Sequence, residues 1–191
     1  YVRRPPVAGG DWVQDFEAYA PGADLRFAAA TLDAQGNVVL GGSDVSLLAG
    51  CGLTVASADV RRPQVSWDGT KLAFAARSGA SEPLRVYVAN ADGSNCVVDP
   101  VVDAPPVDDA GSPLPLNGAL VHNFDPAFAP DGTLVFASTR GNTKNTKVFD
   151  YQGPQRSPAD PAKLNANLYA VDGGKVRQLT FLLNQELQPS F

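Results

Sequence analysis

Apolar positions in this chain recur mostly at every second residue, in short runs closed by Gly, Asp, Asn or Pro. Val86 and Val88 in LRVYVAN, and Leu168 and Ala170 in NLYAVD, alternate with more polar neighbours as half-buried strands do. No stretch keeps helical spacing through three turns. Only 159–166 has the makings of a short helix, and the prolines in and around it oppose even that. The strand pattern is also written more than once. SWDGTKLAF at 66–74 is echoed by APDGTLVF at 129–136, each with a proline five residues before its Asp-Gly. Those prolines, Pro63 and Pro126, have a third copy in Pro189, with a constant step of 63 residues. Val65, Phe128 and Phe191 share one offset in the repeat, and Arg77 and Arg140 close equivalent apolar runs. YVRR at 1–4 fits the same slot as those arginines. LRVYVANADGSNCVV at 84–98 pairs with NLYAVDGGKVRQLT at 167–180, and DLRFAAATLDAQGNVVL at 24–40 is a weaker version.

An Asp-Gly between apolar runs predicts a tight hairpin of type I′, because glycine adopts positive φ without steric cost. Each unit therefore reads as strand A, turn, strand B, connection, strand C, turn, strand D. Four-stranded units repeated at this length are blades of a β-propeller. The predicted fold is all-β: a partial β-propeller of about three four-stranded antiparallel blades. Blade 1 is partial at 1–58, blade 2 is 59–122, blade 3 is 123–187, and 188–191 starts a fourth. Val65, Phe74, Phe128 and Phe136 are the expected core between blades.

The spelling of the repeat resembles the Pro-Asp-Gly repeat of TolB-like β-propellers. The matching residues are Pro63, Trp67-Asp68-Gly69, Phe74, Tyr87 and Asp92-Gly93, then Pro126, Pro130-Asp131-Gly132, Phe136, Tyr169 and Asp172-Gly173. More narrowly, HNFDPAFAPDGTLVFASTR and NLYAVDGGKVRQLTF resemble the propeller portion of hydrazine synthase alpha-subunit-like proteins. The first resemblance implies an exported propeller, periplasmic or extracellular. The second implies the propeller portion of a multidomain haem oxidoreductase, with its haem sites outside this segment, since no CxxCH occurs here. In this register Tyr1 opens a B strand and Phe191 ends an A strand. About three blades are fewer than a closed propeller has. The expectation is a segment whose first strand and further blades lie in the remainder of the propeller or a neighbouring subunit.

Charge and composition narrow the function. The formal net charge is −5, and no Lys/Arg run exceeds two, so no basic patch for nucleic acid is expected. No apolar run approaches the length of a membrane span. Neither a nucleophile elbow nor a phosphate-binding or dinucleotide fingerprint occurs, so no catalytic residue and no cofactor is assigned to the segment. His122 is the sole histidine; a locally packed loop residue is favoured over a proton donor. The acidic loop at 102–111, with Asp103, Asp108 and Asp109, lacks the spacing of a calcium loop and reads as a solvated proline-rich connection. Cys51 and Cys96 have no metal-site spacing. Two separate buried thiols are favoured over a disulfide, because one lies in a connection and the other beside an outer strand.

The best functional signal is where the long connections fall. Strands alternate in direction, so B-to-C and D-to-A connections leave at one end of the blades. The connections at 5–23, 41–61, 100–124 and 141–166 are all of these kinds, and the turns at the other end are short. Long connections in a compact domain usually carry function. Aromatic and arginine side chains suit a binding surface, so the expected partner-binding residues are Trp12, Phe16, Tyr19, His122, Phe149, Tyr151 and Arg156. The expected role is a non-catalytic scaffold recognising a protein partner or neighbouring domain through this end.

Overall fold

The computed structural model describes residues 1–6, 15–107, 110–114, 116, 120–142, 156–157, 160–181 and 186–191. Strands β1 (Val2–Arg3), β2 (Asp24–Leu32) and β3 (Val38–Ser46) form a three-stranded antiparallel sheet in that order. The next sheet is β4 (Asp59–Val65), β5 (Lys71–Arg77), β6 (Arg85–Asn90) and β7 (Val97–Val98), again in chain order. The third comprises β8 (Asn123–Phe128), β9 (Leu134–Ser138), β12 (Asn167–Asp172) and β13 (Lys175–Gln178). Between β9 and β12, the pair β10 (Arg156–Ser157) and β11 (Asp160–Leu164) forms a small separate hairpin. The one stretch with the makings of a short helix, 159–166, is therefore extended over Asp160–Leu164, in line with the prolines that oppose a helix there. Pro161 disfavours helical backbone at Asp160, the residue before it.

Sheets two and three are up-and-down blades built on the repeat, and the chain is nearly all β. β5 is buried from Leu72 to Arg77 because both of its faces are covered. Leu72, Phe74 and Ala76 join Leu25, Leu48 and Val60 in a core shared with the first sheet. Ala73 points the other way and packs with Val86, Phe136 and Tyr169 in a core shared with the third. Two-sided burial is why LAFAA reads as a continuous apolar run rather than an alternation. Phe74 and Phe136 are fully buried, as the pattern predicts. Val65 is a correction: it is 56% exposed, and Phe128 is only partly buried. Val65 follows a bulge and sits next to the hairpin turn, beyond the part of the strand that enters the core, whereas Phe128 at the same offset packs against the core shared by the second and third sheets.

The turns also differ in type. Only Gly69 (φ 72°) and Gly132 (φ 86°) take positive φ; Asp68 and Asp131 do not. Gly69 donates its N–H to the Ser66 carbonyl, and Gly132 to that of Ala129. The aspartates brace the loop instead. Asp68 Oδ1 accepts from the Thr70 amide at 3.0 Å and the Ser66 hydroxyl at 2.6 Å. Those donors hold its carboxyl down at about 2. These are loops with a glycine in the left-handed position, not two-residue type I′ turns.

The 63-residue step has a backbone counterpart. Arg62 (φ 48°), Asp125 (φ 47°) and Gln188 (φ 56°) lie directly before the three prolines, and all are left-handed. Pairing shifts register between Arg61 and Gln64, and again between Phe124 and Ala127, so both inner strands bulge at the same place. Such bulges bend a strand at a defined position.

The cysteines overturn the reading as separate thiols. Cys51 and Cys96 are disulfide-bonded, with Cα atoms 4.8 Å apart. Residues 48–51 fold into a short 3-10 turn that packs on the outer turn of the second blade. Leu47 lies against Gly93, and the Gly50 backbone approaches the Gly93 carbonyl. Connection and outer strand are thus neighbours in space, which a 45-residue separation conceals.

Candidate functional site

At the end of the blades that bears the long connections, the first residue of β4 anchors a buried ionic cluster. Asp59 is fully buried; Arg61 and Arg77 are 4% and 2% exposed. The Asp59 carboxylate accepts from Arg61 Nε and Nη2 at 3.3 and 3.1 Å, and from Arg77 Nε and Nη2 at 3.2 Å each. The Ala20 amide donates to it at 3.3 Å, and Arg4 lies 3.6 Å away. Antiparallel pairing sets this up, because Asp59 lies directly opposite Arg77. Burial lowers the Arg77 pKa and Asp59 opposes that effect.

The arginines also reach into the first long connection. Arg61 Nη2 donates to the Ala18 carbonyl at 2.6 Å, and Arg77 Nη2 to the Glu17 carbonyl at 3.3 Å. The Tyr19 hydroxyl donates to the Ser57 carbonyl at 2.6 Å, while its ring receives the Arg77 guanidinium at 5.4 Å. A short 3-10 turn at Asp15–Glu17 inserts Phe16 between blades. Its ring stacks on Phe124 at 4.6 Å and leans on His122 at 5.8 Å. His122 Nδ1 accepts the Leu84 amide proton at 3.2 Å. Burial, reinforced by Arg77 and Arg61, pushes its pKa down to about 4, so the ring is neutral at physiological pH.

This revises the expected binding residues. Phe16 and His122 are buried and Tyr19 is only partly exposed, because all three tie the connection down. Trp12, Phe149 and Tyr151 lie outside the described residues. Arg156 is placed in β10, and its side chain lies outside the described set. Among the described residues, one exposed aromatic lies at the opposite end: Trp67, on the Asp-Gly hairpin, is 61% exposed and donates its indole N–H to the Phe128 carbonyl at 2.9 Å. The Asp59 cluster went unread in the sequence. Its one visible trace is the repetition of arginine at the end of strand B, Arg77 and Arg140.

Next to the cluster, a cavity of about 220 Å³ opens between the inner strands, lined by Arg4, Arg61, Arg62 and Asp125 among others. Asp125 is 3.7 Å from Arg62 Nε and accepts the Gln188 amide at 3.1 Å, so it touches material on both sides of its blade. Among the described residues, no three His, Cys, Asp or Glu side chains gather as metal ligands. Asp103 of the acidic connection instead faces Arg85 at 3.3 Å.

No family model matches the chain, nor does any curated protein. Solved structures to which it is similar include a putative TolB from Agrobacterium tumefaciens. That likeness has 16% identity and a TM-score of 0.41, over 85% of this chain and 50% of that one. The AtxE2 isopeptidase in its apo form is similar at 15% identity and TM-score 0.39, over 93% of this chain and 32% of the other. A structure from a study of two prolyl endopeptidases follows at 17% identity and TM-score 0.34, over 68% and 15%. The chain spans half the length of the TolB structure. Among the described residues, no helix is long and apolar enough to cross a membrane.

Proposed function

We propose that this chain is a non-catalytic scaffold segment of an exported propeller that recognises a protein partner or neighbouring domain through the end bearing its long connections. The observation that carries this reading is the clamp on the first connection. Two buried arginines, one buried aspartate and an inserted phenylalanine hold 15–20 in a fixed shape. An ordered loop surface binds without the entropic cost of ordering a mobile one. The single histidine, neutral and bonded to a backbone amide, offers no evident acid–base chemistry there. The disulfide supports export, since such bonds persist in oxidising compartments.

Site-specific photo-crosslinking in the native cell tests the reading. Probes at Glu17 and Ser81, both exposed at the long-connection end, should capture a partner. Probes at the exposed Asp68 and Asp131, on the short-turn end, should not. Capture from the short-turn positions alone would overturn it.

A further inference from the structure

A second cavity, of about 640 Å³, lies away from the Asp59 cluster, between the start of the 100–111 connection and the outer strands of the third blade. One wall is apolar and proline-rich, with Val101, Pro105 and Pro106. The other carries Tyr169 and Gln178, which face each other directly across β12 and β13. Tyr169 is 3% exposed, and no hydrogen bond in normal geometry satisfies its hydroxyl among the described residues. Burial raises its pKa, outweighing the Arg140 guanidinium and the Gly141 amide, and keeps the group a neutral donor. Gln178 is fixed in orientation: its Nε2 donates to the Thr180 carbonyl at 2.7 Å, which leaves Oε1 as the acceptor, without a partner among the described residues.

We propose that this cavity binds an apolar molecule carrying a neutral amide. Tyr169 and Gln178 pair across the two strands, so their side chains share one face of the sheet and the site presents one donor and one acceptor. An amide answers both, its carbonyl accepting from Tyr169 Oη and its N–H donating to Gln178 Oε1. Arg140 and Lys175 also line the cavity, but the Arg140 guanidinium already donates to the Val102 carbonyl, Asn123 Oδ1 and Ser138 Oγ, and a carboxylate would still leave Gln178 Oε1 without a donor. An apolar molecule would leave both polar atoms buried and unpaired, at a cost of about 1–3 kcal/mol each. The apolar body of the ligand rests on the proline-rich wall. This site is independent of the partner surface proposed above.

Protein-observed NMR titration of the intact protein with N-acetyl-leucinamide, N-acetyl-leucine and isobutylbenzene tests it. N-acetyl-leucinamide should bind saturably, shifting resonances of 168–178, and more tightly than the other two probes. Tyr169→Phe keeps the ring stacked on Phe136 and removes only the hydroxyl. It should raise Kd about tenfold, the equivalent of one hydrogen bond. Ala104→Trp, at an exposed position on the rim, should block the cavity without touching either polar group. Absence of saturable amide binding, preference for the carboxylate or the hydrocarbon, or an unchanged Kd in either variant would overturn the proposal.

Discussion

Replacing Asp59 by Asn tests the clamp at its centre. The change keeps the volume of the side chain but removes the negative charge that Arg61 and Arg77 share. Both guanidinium groups are buried, so solvent offers little compensation. Of the four Arg–Asp59 hydrogen bonds, an amide oxygen can retain at most those on one side, and the amide NH2 would point at a cation. Breaking a buried pair by removing one partner costs about 3–5 kcal/mol, chiefly because a buried charge is left uncompensated. In a domain of this size 1 kcal/mol corresponds to roughly 2–4 °C, so Tm should fall by about 10 °C. Urea denaturation of the intact protein at pH 7 should show the midpoint falling with the m-value unchanged. The carbonyls of Glu17 and Ala18 are held by the same arginines, so limited proteolysis should also begin within the first connection. A loss below about 1 kcal/mol, with that connection still protected, would show that the arginines are satisfied without Asp59 and would refute the reasoning.

Other outcomes follow from the same structure. His122 takes up a proton at about 4 when folded, against about 6.5 unfolded. Its contribution is therefore intact above pH 6.5 and is lost as pH falls towards 4, by up to about 3 kcal/mol. His122→Gln should flatten that part of a urea–pH series. Ellman titration should find no free thiol in the oxidised protein, and closure of a 45-residue loop corresponds to about 4 kcal/mol that reduction should remove. Gly93→Ala places a Cβ 2.7 Å from the Leu47 side chain at a φ of 83°. It should cost more than Gly132→Ala, which meets open space and bears only the left-handed backbone penalty of about 1–2 kcal/mol. Thermal melts of the two variants side by side check that order.

The repeat was legible because its signals are local. Asp-Gly turns, prolines at a fixed step and two-sided apolar strands each write themselves within a dozen residues. The register from Pro63 to Phe74 and from Pro126 to Phe136 accordingly matches the observed hairpins. What the sequence hid depends on contacts between distant segments. Nothing near Asp59 announces that Arg77 will lie across from it, or that Arg61 will reach back to Ala18. Phe16 and Tyr19 have the composition of an exposed binding surface, yet they are used to fasten a connection to the core. Cys51 and Cys96 meet only because that connection lies on the next blade. The turn type was also misread, since Asp68 works through its side chain while glycine alone takes the left-handed backbone.

The left-handed residues before the three prolines carry a consequence for how the array fails under load. Asp125 reaches back to Arg62 and forward to the amide of Gln188, so β8 is tied both to the strand before it and to the segment after it, like a link in a chain. Pulling the third sheet away strips a partner from Arg62 on one side and from Gln188 on the other. The second and third sheets are thus mechanically coupled through Asp125, and their rupture should be a shared event, not a peeling of separate sheets.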